Sequence, residues 1–247
     1  MHHFNADLHI HTLLSPCGDL EMSPANIVKR ALELDIKILG ITDHNSTKHA
    51  LLVKKLAEQN GIFTLCGAEV TTKEEVHCLA FFETPEKLAI FQQYLDENMS
   101  AIKNDPDIFG YQVVIDEDEM IIEEIENLLI VGLNQSIDQV ETKVHEAGGL
   151  FIPAHIDRSK FSIISQLGFV PPDLNADAFE ISRHGNKEDI IKKFPYLKNR
   201  TFIRTSDAHQ IEQLGSGNTV FVMEHINWKE ILQAIKGEDG RHVIIQN

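Results

Sequence analysis

The chain has 247 residues, with 22 Lys+Arg against 38 Asp+Glu, a formal net charge of −16, and 13 histidines. Its 43% hydrophobic and 24% charged residues exclude a disordered or fibrous chain, and the length fits one large domain or two small ones. The acid excess argues against a broad basic face that coats nucleic acid or anionic membrane, whereas acid combined with many histidines suits a site that holds cations.

The start, Met1-His2-His3-Phe4-Asn5-Ala6-Asp7, has no basic region followed by an apolar stretch, so no secretory leader is expected. His2-His3 reads as a loose terminus. No apolar run approaches the ~20 residues that span a bilayer. Cys17, Cys66 and Cys78 are odd in number and widely spaced, which predicts reduced thiols and a cytoplasmic protein.

In chain order, a first strand ends at Asp7-Leu8-His9-Ile10-His11. Ser23 caps a helix with Pro24 at its first position, and Ile27, Ala31 and Leu34 repeat at helical spacing. A strand over Lys37–Thr42 precedes a helix over Lys48–Glu58, stopped by Asn60-Gly61. Strands follow at Ile62–Cys66 and Val76–Phe82, then a helix from Pro85 to Leu95. Tyr111–Asp116 and Met120–Ile125 form a hairpin around Glu117-Asp118-Glu119, an excursion over about 108–130. Ser136 caps a helix to Ala147, and strands follow at Leu150–Ala154, Ala178–Ile181 and Thr201–Thr205. A last helix, Asn227–Ile235, ends at Gly237. Near-continuous apolar strands suit a parallel sheet covered on both faces. The alternation, with no linker, predicts one α/β barrel-like domain over residues 1–247.

Chemistry gathers where these strands end. His9 and His11 are separated by one residue and share a face of their strand, so both imidazoles can reach one cation. Asp43-His44 follows the second strand, where an Asp can orient an imidazole or simply cap a turn. Glu69 follows the third, His77 opens the fourth, His155 follows the fifth, and Asp207-Ala208-His209 follows the last. Singly, each is as well read as an ordinary strand-end or core residue. Jointly, one chemical class at the strand ends of a barrel points to a multinuclear metal site, because such ends converge on one face.

The set Asp7-Leu8-His9-Ile10-His11, Ile41-Thr42-Asp43-His44, Glu69, His77, His155 and Asp207-Ala208-His209 resembles the PHP (polymerase and histidinol phosphatase) family, in its motif order and across essentially the whole chain. The resemblance implies a distorted (β/α)7 barrel, with the hairpin inserted, that binds two or three divalent metals (Zn, Mn, Fe or Mg) and hydrolyses phosphate esters. It implies one metal on His9, His11, Glu69 and Asp207, a second bridged by Glu69 and completed by His77 and His155, and a third on His44 and His209. Asp7 and Asp43 are expected to orient the ligands. Members similar to histidinol phosphatase have a further His after the HxH, where this chain has Cys17. Asp19 is expected to serve instead, since oxygen coordination suits Mg or Mn as well as Zn, whereas a thiolate favours zinc.

The expected reaction is attack of a metal-activated hydroxide beside Glu69 on phosphorus, with Asp207 or His209 managing protons. Arg158, Arg183 and His184 are candidate phosphate contacts, since guanidinium grips phosphate bidentately. His49, His145, His225 and His242 are assigned to helices or surface without a role. The rival readings are a barrel amidohydrolase acting on a cyclic amide, which also begins with HxH, and a non-catalytic metal-binding regulatory barrel. A small phosphorylated substrate is expected, such as a nucleotide, sugar or amino-alcohol phosphate. With no Lys/Arg cluster to track a backbone, neither a long nucleic acid nor a membrane is expected as a partner.

Overall fold

The computed structural model describes residues 1–217 and 219–245. Its first half runs β1 (His2–Ile10), α1 (Pro24–Glu33), β2 (Ile38–Ile41), α2 (Ala50–Glu58), β3 (Phe63–Thr71), β4 (His77–Phe82) and α3 (Pro85–Asn98). A short α4 (Pro106–Phe109) leads into the hairpin β5 (Val113–Ile115) and β6 (Ile121–Glu124), followed by α5 (Ile137–Glu146) and β7 (Leu150–Pro153). The chain closes with α6 (Ile163–Leu167), β8 (Phe179–Ile181), α7 (Lys187–Lys193), β9 (Phe202–Arg204), β10 (Thr219–Met223), α8 (Trp228–Lys236) and β11 (His242–Ile245).

The helices start where their caps dictate. Ser23 accepts the Asn26 amide ahead of Pro24, Thr84 accepts the Lys87 amide ahead of Pro85, and Ser136 forms a reciprocal capping box with Gln139. Three details depart from the sequence reading. His2 and His3 are not loose but pair with Met223 and Val222 of β10, β3 continues past Cys66 to Thr71, and strands β10 and β11 were not anticipated.

The architecture is a mixed α/β fold built on a curled sheet, in the order β11-β10-β1-β2-β3-β4-β7, with a separate parallel pair β8-β9. The all-parallel expectation is corrected. Only β1-β2 and β2-β3 run parallel in the large sheet, whereas β3-β4, β4-β7, β1-β10 and β10-β11 are antiparallel. Short antiparallel connections do not need the helical crossover that a parallel pair requires, which is why the apolar runs alone misreport direction.

Backbone bonds tie the small sheet to the large one on both sides. The Asp177 and Ile156 amides join β8 to the β7 side, and across the ends of β1 and β9 the His11 amide donates to the Ala208 carbonyl while the Ala208 amide donates to the His9 carbonyl. Ala6, Leu8, Ile38, Leu65, Leu79, Ile152, Ile203 and Phe221 meet inside this curl and are closed below by Trp228 and Ile231 of α8. Ile10, Ile41, Val53, Phe91 and Val140 belong instead to the layer between sheet and helices. Among the described residues, no helix is long and apolar enough to cross a membrane.

Strands β1 and β2 approach so closely that a Cβ at Gly40 would lie 2.4 Å from the Leu8 carbonyl oxygen. Backbone on both sides leaves nowhere for that atom to go. Gly40→Ala is therefore expected to lose about 1–3 kcal/mol, read from the urea unfolding midpoint at unchanged slope.

Candidate metal centre

Four residues of β1, Asp7 to Ile10, span the three of β2 from Leu39 to Ile41. A bulge of this kind re-aims side chains. Here Ile10 packs towards the helix layer while His9 and His11 turn to the opposite side and meet Glu69 and Asp207. His9 Nε2 and His11 Nε2 are 3.1 Å apart, and both lie 3.2–3.3 Å from Asp207 Oδ1. His9 Nε2 is 3.3 Å from Glu69 Oε1, and His11 Nε2 is 3.3 Å from Glu69 Oε2.

Glu69 lies within β3 rather than after it. His77 Nδ1 approaches its Oε1 at 2.8 Å, His155 Nε2 the same oxygen at 3.1 Å, and His44 Nδ1 its Oε2 at 3.1 Å. His77 reaches this end of the sheet because β4 runs against β3, with Thr71 paired to His77. The ring of His209 stacks on His11 at 4.0 Å between centroids. Among the described residues, three sets of side chains have ligand atoms close enough to share an ion: His9, His11, Glu69 and Asp207; His44, Glu69 and His77; and His11, His44 and His209.

The hydrogen bonds of the rings say which nitrogens are free. His9 Nδ1 faces the carboxylate of Glu180 at 3.0 and 3.1 Å, and a carboxylate can only accept, so the proton of the neutral ring sits on Nδ1. Ser15 gives its hydroxyl hydrogen to Asp43 Oδ1, so at 2.9 Å its oxygen accepts His11 Nδ1–H. Both Nε2 lone pairs then point at each other and at two carboxylates. Glu69 Oε2, Asp207 Oδ1 and His44 Nδ1 are buried with no hydrogen-bond partner. Buried polar atoms are rarely left so, and this donor set of imidazole and carboxylate suits Zn, Mn or Fe.

Proton equilibria carry the same message. Burial alone would depress His9, but Glu180, Asp207 and Glu69 raise it well above the ordinary range. His11 is likewise depressed by burial, yet the carboxylates of Asp207 and Glu69 beside it push it up to about 9. Burial opposes charge on Glu69, but His77, His9 and His44 hold it well below the usual carboxylate range; Asp207 is held down by His9 and His11. Burial pulls His44 down to about 4, and burial with the charge of His11 pulls His209 down to about 3. Without an ion, protons on His9 and His11 stand in for one.

The surroundings explain how the centre is held. Asp7 accepts the Ser206 and Gly215 amides and so anchors the loop that carries Asp207 and His209. Asp43 accepts the Thr12 amide, the Thr12 hydroxyl and the Ser15 hydroxyl. Asn45, His155 and Asp207 have φ of 46°, 28° and 49°, a left-handed backbone that costs non-glycine residues free energy and gathers at functional sites.

Asp19 is not brought into the cluster. It is exposed, and its carboxylate accepts the Glu21 amide in a local turn. Cys17 is exposed as well, and desolvation together with the charges of Glu69 and Asp207 pushes its thiol up. A cavity of about 600 Å³ opens above the centre, with Arg158, Lys160, Phe161, Ser182 and His184 at its walls. Arg158 reaches Asp207 Oδ2 at 2.5 Å. His184 lines the cavity, whereas Arg183 does not and instead donates to His184 Nε2 at 3.3 Å.

Glu180 and His49, like Ser15, escaped the sequence reading. Glu180 is fully buried, orients His9 and also accepts the His155 amide at 3.0 Å; a lone carboxylate inside the apolar run Ala178–Ile181 was its signal. His49, assigned no role, is fully buried between Thr12 and the hairpin. Its placement beside Asp43 comes from tertiary packing and has no local signature.

The family described as PHP domain matches residues 7–158, and the PHP-associated family matches residues 199–239. Bacillus subtilis YqxK is 26% identical over 97% of this chain, which spans 63% of that protein. The lesion-specific endonuclease PfuEndoQ of Pyrococcus furiosus superposes over 98% of this chain with a TM-score of 0.71 at 20% identity, and this chain spans 58% of it. A proposed metal-dependent phosphoesterase from Bifidobacterium adolescentis superposes over 83% of this chain and 87% of its own length, with a TM-score of 0.58 at 20% identity.

The structure of Endonuclease Q with a 27-mer duplex, an abasic lesion at its active site, overturns the expectation that long nucleic acid is excluded. That expectation rested on net charge, which sums the whole surface, and on the lack of a Lys/Arg cluster along the sequence, which ignores how the fold gathers residues. The field at a cavity is set by its own walls and any ions within it.

Because His9 and His11 hold protons at neutral pH without metal, uptake of Zn²⁺ or Mn²⁺ at pH 7 is expected to release protons, and affinity should rise as pH rises towards 9. Calorimetry in buffers of different ionisation enthalpy reads this directly; a heat independent of buffer contradicts it. His9→Ala should lower the bound metal per chain, measured by elemental analysis, and unchanged content would exclude His9 as a ligand.

Proposed function

Since the chain belongs to the PHP family, whose members are metal-dependent hydrolases, we propose that it hydrolyses phosphate esters at the cavity above His9, His11, Glu69 and Asp207. The observation that carries this reading is the pair of free Nε2 atoms 3.1 Å apart, aimed with two ionised carboxylates at one point. His9, His11, Glu69 and Asp207 would hold one ion. Glu69, with His77 and His155, would hold a second, and His11, His44 and His209 a third. A seven-stranded barrel closed through β8 and β9 is the frame we assign to this arrangement.

Divalent ions in these positions would supply an activated water and neutralise charge that develops on the phosphoryl oxygens. The chain's own groups do the rest. Glu69 stays ionised among its imidazoles, so it acts as an acceptor that orients the attacking water rather than as an acid. His209 is held neutral at pH 7 and serves as a ligand rather than a proton donor. Arg158 sits half-exposed at the cavity and touches Asp207, so its fork can bridge that carboxylate and a phosphoryl oxygen. Lys160 and His184 add donors at the rim.

A small phosphate ester fits a cavity of about 600 Å³. A phosphodiester within a nucleic acid strand is the second reading, favoured by the likeness to PfuEndoQ over 98% of this chain. Phosphate release from nucleotides, sugar phosphates and amino-alcohol phosphates should be assayed beside cleavage of duplex DNA carrying an abasic site. Cleavage of either class supports phosphoester hydrolysis and decides between the two readings; hydrolysis of cyclic amides alone overturns it. Arg158→Ala is expected to lower kcat/KM about 10- to 100-fold, the loss of one or two charged hydrogen bonds to phosphate.

A further inference from the structure

The amide of Ile115, in the inserted hairpin, donates to His49 Nε2 at 2.9 Å. An amide can only donate, so Nε2 carries no proton and the hydrogen of a neutral ring sits on Nδ1. That nitrogen lies 2.7 Å from Thr12 Oγ1, whose own hydrogen goes to Asp43 Oδ2 at 2.8 Å. The other oxygen of Asp43 accepts the Ser15 hydroxyl at 2.7 Å, and Ser15 Oγ accepts His11 Nδ1–H at 2.9 Å. Every hydrogen in this chain has one direction, and both arms end on Asp43. Thr12, Ser15, Asp43 and His49 are all essentially without solvent contact. Water cannot replace a broken link at so little exposure.

Packing follows the same route. Val113 and Ile115 pack on Leu13, and Val114 packs on Leu14 and Leu129. The loop that follows His11 is thus held between the hairpin on one side and Asp43 on the other. Asn45 fixes the far end of the excursion through the Leu129 and Val131 carbonyls, at 2.7 and 2.9 Å.

We propose that His49 and Thr12 are positioning residues that couple the hairpin over Val113–Glu124 to the His11 imidazole, so that metal loading and hairpin order reinforce each other. The proposal rests on the reading of His11 as a metal ligand. Coupling of this kind is reciprocal: what fixes His11 steadies the Ile115 amide, and what loosens the hairpin weakens the ion. Thr12→Val keeps the volume, the His49–Ile115 bond and the Thr12 amide on Asp43, but removes the hydroxyl that links His49 to Asp43. His49→Phe removes both bonds of the ring, while His49→Gln retains an acceptor and a donor.

The test uses the full chain, with Zn²⁺ affinity measured by competition against a chromophoric chelator and hydrogen exchange followed at the Ile115 and Phe221 amides. Thr12→Val and His49→Phe are expected to weaken Zn²⁺ about 10-fold, the lower end for groups that support a ligand, and His49→Gln to stay near wild type. Zn²⁺ should slow exchange at Ile115 more than at Phe221 of β10 in the wild type, and this excess should vanish in Thr12→Val. Wild-type affinity and an intact excess in Thr12→Val overturn the proposal. So does equal weakening in His49→Gln with no excess at Ile115, the mark of a merely structural role. If His49→Phe does not fold, Thr12→Val decides alone. A wild-type chain that binds no Zn²⁺ overturns the metal reading itself, and this proposal with it, a result distinct from the others.

Discussion

Two imidazole nitrogens, each with its proton turned away by a carboxylate or a hydroxyl, face each other across 3.1 Å. Nothing neutral relieves such a contact. It needs either added protons or a cation, and two ionised carboxylates at 3.2–3.3 Å make the same demand from the other side. Glu180 and Ser15 therefore matter as much as the nitrogens they turn. They choose the tautomer, and the tautomer decides whether the pocket attracts a metal or repels it. The remaining structure can be understood as what keeps these groups from relaxing apart. A bulge in β1 aims the rings, Asp7 pins the loop of Asp207, and buried backbone bonds hold β8 and β9 against the large sheet.

Strand direction decides which residues arrive at the centre. Parallel strands deliver their C-terminal ends, as with His11, His44 and, through β7, His155. An antiparallel neighbour delivers its beginning, and β4 accordingly brings His77 in at its first residue. This explains how one side of a mixed sheet collects ligands from both ends of strands. It also places Glu69 in mid-strand, where carbonyl and amide are both paired and the carboxylate has little freedom.

Much of this was legible in the residues. Ser23, Pro85 and Ser136 mark helix starts through local backbone chemistry that the sequence alone announces. The histidines and carboxylates stand out because charged groups at the ends of apolar runs need a reason. Asp19 was named on chemical class without geometry: it is exposed, and its Oδ1 accepts the Glu21 amide in its own turn. Strand direction, the bulge in β1 and the contact of His49 with the hairpin are tertiary facts, with no pattern in the neighbouring residues to announce them. Net charge misled in another way, as a sum over the surface used to describe one cavity.

The left-handed backbone at Asn45, His155 and Asp207 sets two kinds of selection against each other. At each position glycine would be the conformationally easier residue. A search for thermal stability alone, whether by directed evolution or by consensus design, would tend to relax these strained turns and remove the side chains that the centre needs. Heat tolerance gained there would be a poor guide to a working protein, and stabilising substitutions are better sought in the helix layer or the outer strands.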